Sequence, residues 1–256
     1  MPKQNQKNEQ KFSIFGQSDV GMRCMINSDC IEFDQTKGIA ILTDGLEQSE
    51  AGKISAKLAA KSVFEGLRSD TFTNDLPSSN EEQVLNAIDK LLSKTNQVLI
   101  DASKSVGEEN YMRTTIVAIL IRKRKIFLGH VGDSRVYLLR NNILEKLTRD
   151  HSLVQDLVFR GVYHQRKQKS SSIDSVTRVL GAKPNIEITT LAHEIKSGHR
   201  LLLCSDGLSD MLSDKEIEEI ANTEIHNLKK TTKNLIKFAN RRGGRDNISV
   251  ILAQIP

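Results

Sequence analysis

Runs of apolar, often β-branched residues bounded by glycine or polar turns recur along the chain. They predict strands over 12–20, 38–43, 115–121, 125–131, 136–140, 186–191, 200–205 and 248–255. Apolar positions at helical spacing predict two long helices between them. One covers 51–67, with Ile54, Leu58, Val63, Phe64 and Leu67. The other covers 81–105, with Val84, Ile88, Leu91, Val98 and Ala102 on one face. Segments 211–221 and 225–240 predict two more. Strands packed on strands with helices outside make an α/β sandwich.

The turns that close these strands carry aspartates in similar settings. Thr43-Asp44-Gly45, Gly132-Asp133-Ser134-Arg135, Ser205-Asp206-Gly207 and Gly244-Arg245-Asp246-Asn247 span most of the chain, with Asn27-Ser28-Asp29 an earlier fifth. An aspartate where a strand gives way to a glycine-bearing turn sits at the rim of a buried sheet. Carboxylates gathered at one rim repel one another unless cations hold them. An all-oxygen set suits hard divalent ions such as Mg²⁺ or Mn²⁺. Taken singly, each is equally an ordinary turn aspartate.

Their order and company decide between these readings. Gly21 precedes Asn27-Ser28-Asp29, Gly52 follows Thr43-Asp44-Gly45, and Thr114-Thr115 opens a strand. Val131-Gly132-Asp133-Ser134-Arg135-Val136-Tyr137-Leu138, Thr148-Arg149-Asp150-His151-Ser152-Leu153 and Thr177-Arg178-Val179-Leu180-Gly181 come next. Leu203-Cys204-Ser205-Asp206-Gly207-Leu208-Ser209-Asp210 and Gly244-Arg245-Asp246-Asn247-Ile248-Ser249-Val250 close the series. From about Phe12 to the C-terminus the chain resembles the bacterial metal-dependent protein phosphatases (PPM, the type 2C serine/threonine phosphatases). The resemblance implies two central, mostly antiparallel β-sheets flanked by pairs of α-helices. It implies a single domain over 12–256 with a mobile flap at about 155–178, behind a tail at 1–11 whose polar composition predicts disorder.

It also implies roles. Asp44 bridges two Mn²⁺ or Mg²⁺ ions, with the Gly45 carbonyl completing one site, and Asp206 and Asp246 bind the other ion. Asp29 lies beside the first site, reached through water. Asp133, Asp206 and Asp210 match a third, weaker site, and a helix starting at Asp206 lets Asp206 and Asp210 reach one ion. Asn247 braces its loop. The activity implied is hydrolysis of phosphoserine and phosphothreonine in proteins by a metal-activated water, opposing a bacterial Ser/Thr kinase.

Departures from the pattern fall around the phosphate. The family's phosphate-gripping arginine stands five residues before the Asp29 position, and here that residue is Cys24, with Arg23 one earlier. On a strand the shift turns Arg23 to the opposite face; a local bulge returning it as the phosphate anchor is the expectation. Leu46-Glu47-Gln48-Ser49 replaces a glycine-rich segment, and Arg113 replaces a glycine, which makes Arg113 a spare phosphate ligand. His130 is expected to pack, His151 to brace a turn, and Arg135 and Arg178 to pair with loop carboxylates. A phosphatase-fold regulator with little turnover, motivated by Cys24 and Glu47-Gln48, is the alternative function; a hydrolase of small phosphate esters is a third. Retention of Asp44, Asp206 and Asp246 favours the phosphatase.

Composition narrows the setting. The 256 residues are 38% hydrophobic, with sparse aromatics and no tryptophan, so aliphatic side chains must carry the core. Cys24, Cys30 and Cys204 form no Cys-x-x-Cys pair and read as free thiols of a reducing compartment. No apolar run approaches the roughly 18 residues of a membrane span, and 1–10 lacks a signal peptide's apolar core. A cytoplasmic monomer is expected. The net charge of +5 lies in separate clusters (122–125, 166–169, 241–242) without interleaved aromatics, so no specific nucleic-acid partner is expected.

Overall fold

A computed structural model describes residues 12–69, 72, 80–107, 112–152, 176–225 and 227–256. The expected tail, most of the expected flap and the 166–169 cluster lie outside them. The strands are β1 (Ser13–Asp19), β2 (Asp29–Asp34), β3 (Ile39–Asp44), β4 (Ile116–Arg122), β5 (Lys125–Val131), β6 (Arg135–Arg140), β7 (Ile143–Lys146), β8 (Thr189–Glu194), β9 (Arg200–Cys204) and β10 (Ile248–Gln254). The helices are α1 (Glu50–Arg68), α2 (Glu81–Ser105), α3 (Asp206–Ser209), α4 (Asp214–Thr223) and α5 (Leu228–Arg241). Two five-stranded antiparallel sheets form, in the orders β1-β10-β9-β6-β7 and β2-β3-β4-β5-β8.

Strand alternation builds three apolar layers. On β3, Ile39 and Ile41 face α1 and α2, while Ala40 and Leu42 face the other sheet. On β10, Ile251 and Ala253 join the layer between the sheets, while Val250 and Leu252 pack with Leu235, Ile236 and Ala239 of α5. Both faces of the central strands are covered, which is why they read as continuous apolar runs.

Several boundaries differ from the sequence expectation. Strands β2 and β7 were not expected. Each is a sheet edge, and Glu32, Glu145 and Lys146 interrupt its apolar pattern. The strand expected at 186–191 lies at Thr189–Glu194, because its length is set by pairing along β5, from His130↔Thr189 to Lys125↔Glu194. The helix expected at 211–221 begins at Asp214, where Ser213 and Glu216 form a capping box. On α1 the packed face is Ala56, Ala59, Ala60 and Val63, which brings the helix close to the sheet; Ile54 is 48% exposed.

Candidate metal centre

The aspartate-bearing turns meet at one end of the sandwich. Asp29 opens β2 and stands opposite Asp44, the last residue of β3. Asp133 lies in the turn between β5 and β6, Asp206 follows β9 at the start of α3, and Asp246 precedes β10. Asp210 ends α3, where its amide donates to the Asp206 carbonyl (2.7 Å), so the pair stands one turn apart. Each sheet therefore supplies carboxylates to the same rim.

A polar seam fixes that rim. Ser205 Oγ donates to Asp29 Oδ2 (2.9 Å) and accepts from the Ser249 amide (2.9 Å), tying the sheets together. The Thr115 amide and Thr114 Oγ1 both donate to the Asp44 carbonyl (2.8 Å each). Asn247 accepts from the Ser28 amide (2.7 Å) and donates to the Val20 and Ile26 carbonyls (2.9 and 3.0 Å), so it braces the β1–β2 connection against its own loop. A Cβ on Gly45 would collide with the Gly52 carbonyl, which explains why only glycine fits at this crossing.

The electrostatics of this end demand a counterion. Burial, then Asp29, Asp206, Asp133 and Asp246, hold the Asp44 carboxyl well above the usual range. Burial, then Asp133, Asp246, Asp210 and Asp29, do the same to Asp206. Burial chiefly pushes Asp29 up to about 7, against the lowering hydrogen bonds of Ser249 and Ser205. Asp133 is raised to about 6 by burial and then by Asp150. Two carboxylate oxygens, Asp29 Oδ1 and Asp206 Oδ1, are buried with no hydrogen-bond partner, an arrangement native proteins rarely leave unresolved. Among the described residues no three acidic, cysteine or histidine side chains already close around one point. The carboxylates share a rim closely enough to raise one another. Orphaned carboxylate oxygens gathered this way fit a hard divalent cation.

The flanking residues divide differently from expectation. Gly21 to Arg23 form a turn beyond β1, so the strand-face argument for Arg23 does not apply. Arg23 is exposed and makes no ion pair among the described residues. The side chain turned to Asp246 is Cys24, its Sγ 3.8 Å from Oδ1. Burial and then Asp246 raise this thiol, which leaves it a proton donor rather than a nucleophile. Arg113 pairs with Glu47 (3.1 Å), which offsets the extra carboxylate of the altered loop and engages the spare phosphate ligand. Gln48 Nε2 donates to Asp246 Oδ1 (3.2 Å), a contact that sequence reasoning missed.

The structural residues behave as such. Arg135 grips Asp150 through Nε and Nη2 (3.0 and 2.7 Å), and Arg178 pairs with Glu187 (3.0 Å). His151 Nδ1 accepts from the Gly132 amide (3.1 Å), and its ring lies 4.5 Å from that of His130. His130 is buried, which lowers its pKa to about 3 and keeps it neutral.

Residues 23–253 match the family model described as protein phosphatase 2C. The chain belongs to that family. A serine/threonine phosphatase of Listeria monocytogenes is 31% identical over 89% of this chain and 88% of its own. The S. agalactiae serine/threonine phosphatase superposes with a TM-score of 0.84 at 30% identity, covering 96% of this chain and 100% of that one. The catalytic domain of the phosphatase PstP, solved with two manganese ions, superposes at 0.80 with 29% identity over 95% and 98%. Its type 2C membership makes this protein a protein serine/threonine phosphatase. No helix among the described residues is long and apolar enough to cross a membrane.

Proposed function

We propose that this phosphatase removes phosphate from phosphoserine and phosphothreonine of proteins with two Mn²⁺ or Mg²⁺ ions, and that it opposes a Ser/Thr kinase. The observation that carries the metal reading is the pair of buried oxygens on Asp29 and Asp206, without hydrogen-bond partners among the described residues, within a set of mutually repelling, largely half-buried carboxylates. Asp44, the Gly45 carbonyl, Asp206 and Asp246 would hold the two ions, with Asp29 beside them. Asp133, Asp206 and Asp210 would hold a third, weaker ion. When bound, the ions supply Lewis acidity that activates water and offsets charge on the phosphoryl oxygens.

The protein's own part is positioning. Thr114 and Thr115 fix the Asp44 backbone, Ser205 aims Asp29, and Asn247 seats the Asp246 loop. Cys24 beside Asp246 and Arg113 held by Glu47 put neither the family's arginine position nor Arg113 in place for phosphate, which favours the weakly active regulator as second reading. Turnover of p-nitrophenyl phosphate and of a phosphothreonine peptide decides between them. Activity should vanish in EDTA and return with Mn²⁺, and Asp206→Asn or Asp246→Asn should each lower turnover by about a hundredfold or more. Full activity in EDTA or in either variant would sink the metal reading, while absence of activity under all metals would favour the regulator.

A further inference from the structure

Helix α5 carries Lys229, Lys233, Lys237 and Arg241 at successive four-residue intervals, which places them on one face, and it contains no acidic residue. Like charges at that spacing repel and weaken a helix, a cost offset only at Arg241, which lies over the Phe238 ring in the last turn. Lys230 and Arg242, off the stripe, pair with Glu224 and Glu216. Lys233, Lys237 and Arg241 are exposed and make no ion pair among the described residues. They border a hollow of about 420 Å³ whose other walls include Asp19, Met22 and Ile236. Asp19, the acid there, is committed: its Oδ1 accepts from the Gly21 amide (2.9 Å) and Asn240 Nδ2 (3.0 Å).

One wall of the hollow, Met22, is tied to the loop that carries Asp246. The Met22 amide donates to the Gly244 carbonyl (2.8 Å), two residues before Asp246, and Cys24 beyond it faces Asp246. Exposed Arg23 and Arg245 extend the positive charge to the rim, and Met22 and Met25, 67% and 98% exposed, add apolar surface. From Lys233 to Arg241 the helix axis covers about 12 Å, the reach of about four extended residues.

We infer that the groove between the Gly21–Met25 turn and α5 docks an acidic stretch of the substrate protein flanking its phosphorylated residue. This inference rests on the phosphatase reading and adds the substrate class. A peptide suits the groove better than a membrane does, because the apolar side of α5 (Leu235, Ile236, Ala239) is buried against the sheet.

The test compares p-nitrophenyl phosphate with two phosphothreonine peptides, one flanked by four glutamates and one by four alanines, all with Mn²⁺. The wild type should favour the glutamate peptide by about tenfold in kcat/KM, through KM, as a few partly screened charge contacts give. Lys233→Glu with Lys237→Glu should abolish that preference and leave p-nitrophenyl phosphate kinetics unchanged. Lys233→Gln with Lys237→Gln serves if charge reversal lowers the melting temperature. Equal treatment of both peptides by the wild type, or equal loss on all three substrates in the variant, would overturn the inference. Loss of binding to phosphatidylglycerol vesicles with peptide preference intact would overturn it in favour of a membrane. If the wild type is inactive on p-nitrophenyl phosphate, the phosphatase reading fails by itself. Fluorescence anisotropy of a labelled, unphosphorylated glutamate peptide still decides the docking: weaker binding by the double variant supports it, and equal binding refutes it.

Discussion

Cys24 stands with its sulfur toward Asp246 while Arg23, one residue earlier, is exposed in a turn. Arg23→Ala should therefore change kcat/KM by less than the roughly 2–4 kcal/mol that a lost charged phosphate contact costs. Cys24→Arg should lower KM, since a guanidinium matches two phosphate oxygens at once; steady-state kinetics on a phosphothreonine peptide reads both. A large loss in Arg23→Ala would show that Arg23 swings in to meet substrate. Asp210, exposed at the end of α3, should matter differently from Asp44: calorimetric titration should find tight Mn²⁺ binding kept in Asp210→Ala and lost in Asp44→Ala. Equal loss in both would remove Asp210 from the outer site. The aspartates were legible in the sequence because an acid at a strand end before glycine leaves a local signature. The part played by Ser205 was not. Its hydroxyl meets Asp29 176 residues away, and nothing near Ser205 in the chain marks that contact.

Elements were legible where both faces of a strand are buried and obscure where one edge meets water. Strand β4 reads directly as Ile-Val-Ala-Ile-Leu-Ile, whereas β2 hides behind Asp29, Glu32 and Asp34. Helix faces were less legible than helix lengths. On α1 the alanines make the close approach to the sheet, and large side chains such as Ile54 point away, so size was a poor guide to burial. The break between α3 and α4 is written in the Ser213–Glu216 capping box, which sets the helix start three residues after the expected Met211. Ser213→Ala should cost about 1 kcal/mol, as loss of an N-cap oxygen does. Chemical denaturation should show it as a lowered midpoint, and an unchanged midpoint would mean that packing of Ile217 and Ala221 holds the helix start without the cap.

For the whole molecule, the gathered carboxylates make stability depend on pH and metal together. Asp29 titrates at about 7 when folded against 3.8 unfolded, chiefly through burial, and Asp44 and Asp206 shift the same way. The folded, metal-free protein thus binds more protons than the unfolded chain between those values. For Asp29 that stability is complete below about pH 4 and is lost as pH rises through about 7, at up to about 1.4 kcal/mol per pH unit. Melting temperatures in EDTA should fall from pH 5 to pH 8, and Mn²⁺ should restore the most at pH 8, where Asp29 is ionised. A metal-free melting temperature that rises over that range would show that these acids are not the dominant titrating groups.

Strand β10 pairs with β1 from Ser13↔Gln254 to Asp19↔Ile248, so β1 finds its sheet partner far along the chain. The same stretch begins just after Asp246. During synthesis, a nascent chain halted at residue 240 would already carry Asp29, Asp44 and Asp206, yet β1 would have no neighbour and the rim would lack one of its acids. Pairings this distant in sequence also close slowly. Closure of the β1 edge and the seating of Asp246 at the rim therefore depend on the same stretch of chain.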